Sequence, residues 1–189
     1  KNYRWEGRSI DGYADSLEGA IYLLNRLPVP EGLTWVDREM AANVIYADQP
    51  LAEAKLWGTM KLQSNGVRTV IMHALMHTRG LRALPWRRDL QLGAWESDDG
   101  TLTVVLSASK DWSGRLLFDV PRHRMYMGFA KDWPRMNTLP EWFTVEPDKH
   151  YMVTGRSGGS GKKYTGKQLH EGLNVDVKGG KEMLLKVRS

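Results

Sequence analysis

"TLTVVLSASKDWSGRLLFDV", Thr101 to Val120, is the stretch on which the fold turns. Thr, Val and Leu, residues that suit a pleated surface, fill its first half. "KDWSG" then interrupts before a second apolar run, "RLLFDV". The stretch therefore reads as two short strands joined by a turn. The pattern extends outward on both sides. "LQLGAWE" precedes it, and "RMYMGFA", "EWFTVE", "HYMVTG", "LNVDVK" and "EMLLKVR" follow, with turn signals at "SDDG", "EPDK" and "KGGK". Short runs of this kind, with no helix between them, predict an antiparallel β-sandwich or barrel over residues 86–189. "RSGGSGKK", Arg156 to Lys163, is its expected mobile loop.

Upstream of Trp86 the period changes. Leu17, Ala20, Ile21 and Leu24 follow the i, i+3, i+4, i+7 spacing of one helix face, which Tyr22 and Leu23 widen. Pro28 and Pro30 are expected to end this helix, with "PVPEG" as a loop. A second helix is expected from Thr34, where Thr34 and Asp37 resemble a capping pair, through Met40, Ala41, Val44 and Ile45 to "ADQP". A third, capped by Asn65, aligns Val67, Val70, Ile71, Ala74 and Leu75 and stops at Gly80 after Arg79. Leu51 to Ser64 is ambiguous. The expected fold class is α+β: a helical segment over 1–85, then the antiparallel sandwich.

Composition narrows the function. At 189 residues and 41% apolar content the chain can fill a core. The absence of cysteine rules out a disulfide framework, a thiolate nucleophile and a sulfur-ligated metal. Lys and Arg total 27 against 22 Asp and Glu, so the net charge is 27 − 22 = +5, which suits an anionic polymer. The basic residues are scattered and match no nucleic-acid-binding signature, so no nucleic-acid partner is expected. No apolar run approaches the roughly 20 residues of a membrane span. The chain opens at Lys1 without a charged n-region or cleavage site, so no targeting peptide is read. Eight tryptophans call either for large cores or for platforms on which flat ligands stack.

Together, "DGYADSLEGAIYLLNR", "NGVRTVIMHALMHTRG", "PEWFTVEP" and "GKQLHEGLNVDVKGG" resemble the C-terminal part of bacterial heparinase-type and alginate-lyase-type polysaccharide lyases, and of some toroid glycoside hydrolases. Those proteins join a helical toroid to a β-sandwich. The resemblance spans most of the chain in architecture and local sequence, and none of the four strings is a catalytic signature. It implies an incomplete α/α toroid followed by the sandwich, and a carbohydrate-active protein with an anionic polysaccharide as partner. It implies no cofactor, and a periplasmic or secreted location. About three helices cannot close a toroid, so the resemblance also implies a further N-terminal helical region or a partner chain. The alternative is a non-catalytic glycan-binding or structural β-sandwich module.

Candidate site residues follow from that chemistry. Asp15 and Glu18 fit a variant capping box at a helix start. The functional alternative places Asp11, Tyr13 and Asp15 at a carbohydrate cleft, where glycosidic cleavage needs one protonated and one ionised carboxyl about 5 to 9.5 Å apart. His73 and His77 share a helix face at metal-ligand spacing. Ala74 stands where a zincin carries glutamate, and no third ligand is evident, so no metal is expected. In a polyuronide lyase a histidine such as His73 would remove the proton α to the uronate carboxyl. Arg122, Arg124 and Trp133, in "DVPRHRMYMGFAKDWPRMN", are the candidate substrate-binding set: arginine forks pair with carboxylates and an indole stacks on a sugar ring. The competing reading has Trp133 and Trp142 plugging the core. "GRSGGSGKK" lacks the spacing of a phosphate loop, and no GxSxG elbow occurs.

Overall fold

The computed structural model describes residues 10–47, 65–121, 125, 128, 142–155 and 160–189. The ambiguous segment Leu51 to Ser64 and nearly all of "RMYMGFA" lie outside them. Contacts divide the chain into two compact units, Lys1–Met76 and His77–Ser189. The division falls near the end of one continuous helix, α3 (Asn65–Thr78), which is described here with the first unit.

The first unit also holds α1 (Ile10–Arg26) and α2 (Pro30–Ala47). Leu17, Ile21 and Leu24, at helical spacing, form the buried stripe of α1. Val36 and Met40 do the same for α2, and Thr69, Met72 and Met76 for α3. Pro30 opens α2 where the sequence reading has a loop. At a first helical position proline lacks only an N–H that would have no partner in the helix, and its fixed φ already suits the turn. Thr34 consequently lies one turn inside α2, its hydroxyl donating to the Pro30 carbonyl at 3.0 Å rather than capping the helix. The short Leu27–Val29 connection makes α1 and α2 an αα-hairpin. The hairpin is close at its turn, because a Cβ at Gly32 would come 2.8 Å from a Leu24 methyl. The end of α3 matches its sequence signal: Arg79 (φ 49°) and Gly80 (φ 82°) take the left-handed conformation that stops a helix.

The second unit contains two antiparallel sheets. One has five strands in the order β2 (Leu90–Glu96), β3 (Leu102–Ala108), β8 (Glu182–Arg188), β5 (His150–Gly155), β6 (Lys162–Thr165). The other has three: β1 (Arg82–Leu84), β4 (Trp112–Leu117), β7 (Leu173–Val177). Leu102, Val104 and Leu106 of β3, Tyr151 and Val153 of β5, Leu116 of β4 and Val175 of β7 are buried in a single cluster, so both sheets face one core in a sandwich-like arrangement. The described residues thus form an α+β protein with a helical and a β unit.

Three differences from the sequence reading have local causes. First, β4 begins at Trp112, inside the "KDWSG" expected as a turn, because the indole is buried and its N–H donates to the Pro85 carbonyl at 3.0 Å. The turn itself is held just upstream by Asp89, whose carboxylate accepts from Arg87 and from the hydroxyl and N–H of Ser109. Second, "EWFTVE" forms no strand among its described residues; Thr144 makes only an isolated parallel bridge to Asp119, and Phe143 and Val145 fill the core. Third, a helix does interrupt the β run: α4 (Gly166–Glu171) joins the edge strands β6 and β7 of the two sheets. Thr165 and Gln168 cap it reciprocally, the Thr165 hydroxyl accepting from the Gln168 N–H and the Gln168 side chain accepting from the Thr165 N–H. Leu169 is driven fully into the core.

Candidate functional site

The helical unit places the first candidate set. Asp15 and Glu18 sit inside α1, which starts at Ile10, so neither caps the helix. Both face α3 instead. The Arg68 guanidinium lies 2.6 Å from a Glu18 oxygen and 3.7 Å from Asp15. Glu18 is the better buried partner, with 13% of its side chain exposed against 53% for Asp15, so the short contact to Glu18 is the one that ties α1 to α3. The same pair acts on Tyr22, one turn further along α1. Partial burial pushes the Tyr22 hydroxyl above its ordinary pKa, the Glu18 charge adds to the rise, and Arg68 opposes it. Tyr22 therefore stays protonated at neutral pH. Asp11 and Tyr13 fall on the first turns of α1, and their side chains lie outside the described residues.

His73 has a partner from the neighbouring helix. Its Nε2 is 2.8 Å from Oδ1 of Asp37, with 21% of the His73 side chain and 45% of the Asp37 side chain exposed. His77, exposed one turn on, completes a group in which one ligand atom from each of the three residues lies within 4.8 Å of the others. Local spacing in the sequence pairs the two histidines but sets Asp37 beside Thr34 as a helix cap. Thirty-six positions separate Asp37 from His73, so no local spacing could join them.

Arg122, Arg124 and Trp133 lie outside the described residues. Trp142, expected beside Trp133 in the core, is buried at 3% exposure beneath the Arg79 guanidinium, 5.9 Å from its ring. Two other tryptophans are turned outward: Trp86 at 69% and Trp95 at 51%. Trp95 has the more structured surroundings. Leu92 and Ala94 of β2 face the core, so Gly93 and Trp95 point to the opposite face of the five-stranded sheet. The register places Trp95 across from Thr103, Thr103 across from Lys186, and Lys186 across from Thr154. The adjacent rows carry Gly93, Val105 and Leu184 on one side and Arg188, Met152 and Lys163 on the other.

This outer face thus combines a half-exposed indole, the exposed thioether of Met152 and three cations, Lys163, Lys186 and Arg188, of which Arg188 contacts Asp99 at 3.1 Å. A Cβ at Gly93, beside Trp95, would meet no atom within 4 Å, so the flank of the indole is open. The five strands span roughly 19 Å at about 4.8 Å per spacing, and Trp95 and Lys186 stand about 10 Å apart. Such a face can stack one flat apolar surface and neutralise an anionic group two strands away. Its signal in the sequence was the alternation of "LQLGAWE" itself, which sets Trp95 opposite in phase to Leu90 and Leu92. No family model, curated protein or solved structure matches this chain.

Proposed function

We propose that the protein binds an acidic polysaccharide along the outer face of the five-stranded sheet. The observation that carries this reading is the row Trp95–Thr103–Lys186–Thr154, in which an open indole and a cation lie at the separation of two strands. The indole takes the C–H face of a sugar ring, Lys186 and Lys163 meet carboxylate or sulfate groups, and the half-buried Thr154 hydroxyl supplies a hydrogen bond to a ring hydroxyl, while Thr103 is buried between Trp95 and Lys186. The net charge of +5 adds long-range attraction to a polyanion. On this reading the helical unit is the closing portion of an incomplete α/α toroid, for which the αα-hairpin of α1 and α2 is the structural support. The reading is one of binding, because it rests on Trp95, Lys163 and Lys186, groups that stack on a ring and neutralise anions.

Affinity electrophoresis through gels containing alginate, heparin, chondroitin sulfate or a neutral glucan tests the proposal. The expected result is retardation by an acidic polymer, weakened at least tenfold in apparent affinity by Trp95→Ala, about 1.4 kcal/mol or more. Lys186→Ala should weaken it less, and added salt should erode the charge-dependent part. Equal retardation of wild type and Trp95→Ala would overturn the assignment of the face. Following absorbance of unsaturated uronate in the same mixtures separates binding from lyase turnover.

A further inference from the structure

We infer that Asp37, His73 and His77 form a binding site for a divalent transition-metal ion, of which Zn²⁺ is the best match. The inference concerns the helical unit and does not depend on the glycan-binding face. Two imidazoles four residues apart on α3 project from one face of the helix, and α2 presents a carboxylate to the same spot. Two neutral imidazoles and one carboxylate are a donor set that zinc accepts readily, leaving a fourth tetrahedral position for water or another ligand. Hard cations such as Mg²⁺ and Ca²⁺ prefer all-oxygen sites, so imidazole donors select against them.

The distances fit with small side-chain movements. Ligands about 2.0 Å from zinc at tetrahedral angles lie roughly 3.3 Å apart. The His73–Asp37 pair, at 2.8 Å, has to open by a fraction of an ångström, and the remaining separations, up to 4.8 Å, have to close. Imidazole and carboxylate rotation can supply both, particularly at His77, which is exposed. In the present arrangement one hydrogen bond joins His73 to Asp37; the ion would take its place and add His77 as a third donor. Ala74 in place of a zincin glutamate means that no general base accompanies the set on α3, so the assignment is of a metal site and not of a protease.

The test is a titration of the purified chain with Zn²⁺ by calorimetry at pH 7.5, repeated with Co²⁺ while the visible d–d bands are recorded. Expected are one ion per chain, a dissociation constant below about 100 µM, and Co²⁺ bands of tetrahedral intensity. His77→Ala and Asp37→Asn should each weaken binding at least tenfold. Asn retains a hydrogen-bond acceptor for His73 while removing the charge, and His77→Gln provides a second exposed-site variant should alanine impair folding, which far-UV circular dichroism reports. Absence of saturable binding, or binding equal to wild type in folded variants of His77 and Asp37, would overturn the site. Tighter binding of Mg²⁺ than of Zn²⁺ would overturn the donor assignment.

Discussion

Leu169→Ala puts the β unit to its most direct test. Leu169 sits on a six-residue helix, far too short to hold itself together in water, and is 0% exposed between the two sheets. Truncation to alanine removes three carbons from the core, a transfer loss of about 2.4 kcal/mol at about 0.8 kcal/mol per carbon. The cavity left behind adds to this, and buried leucine truncations reach roughly 3–5 kcal/mol in total. With a urea slope of about 2 kcal/mol/M, the unfolding midpoint should fall by roughly 1.5–2.5 M. Tryptophan fluorescence follows the transition, since Trp112 and Trp142 are buried in this unit. Lys186→Ala, on the exposed face, is the control and should change stability by less than about 0.5 kcal/mol. A midpoint shift for Leu169→Ala no larger than that of the control would refute the packing of α4 on the core.

Gly166→Ala tests the approach of α4 to the loop before β5. A Cβ there would overlap the Glu146 carbonyl, and backbone cannot rotate away as a side chain can; a loss of about 1–3 kcal/mol in the same melts is expected. Asp89→Asn tests the turn clamp through pH. Hydrogen bonds from Arg87 first, then Ser109, hold the Asp89 carboxyl well below its ordinary value of 3.8, so its contribution is complete above that pH and is lost as the pH falls toward the lowered pKa. The variant should therefore show a shallower fall in thermal midpoint between pH 4 and pH 2 than wild type, and identical slopes would contradict the clamp.

Much of this architecture was legible in period alone. The stripe of α1 and the alternation of β2, β3, β5, β7 and β8 follow from which residues must be buried, and burial repeats with the geometry of the backbone. The stripe expected on α3 is instead turned outward, with Val67 and Ile71 exposed while Thr69, Met72 and Met76 are buried. What was hidden depends on distant partners. Trp112 looked like part of a turn because Ser, Gly and Asp surround it, and only the Pro85 carbonyl and the core make it the first residue of a strand. Pro30 looked like a terminator, whereas its place at a first turn makes it an initiator. In α4 the Thr165–Gln168 box was present in the sequence, but six residues carry too little periodicity to announce a helix. The candidate sites divide in the same way. Asp15 and Glu18 read as a capping box, but they lie inside α1 and their partner Arg68 is on another helix, as is the carboxylate beside His73.

The lysines of β6 bear on how this protein meets others. β6 is the last strand of its sheet, and its outer row of amides and carbonyls could template a further strand from a neighbouring molecule. It is only four residues long and begins with Lys162 and Lys163, and the capped turn into α4 follows at once. A second copy docking edge to edge would bring its own lysine pair against this one, with little ladder to offset the repulsion. Growth of the sheet into a polymer is thus discouraged at that border, and the broad faces, which present side chains rather than unpaired backbone, are what a neighbouring molecule meets first.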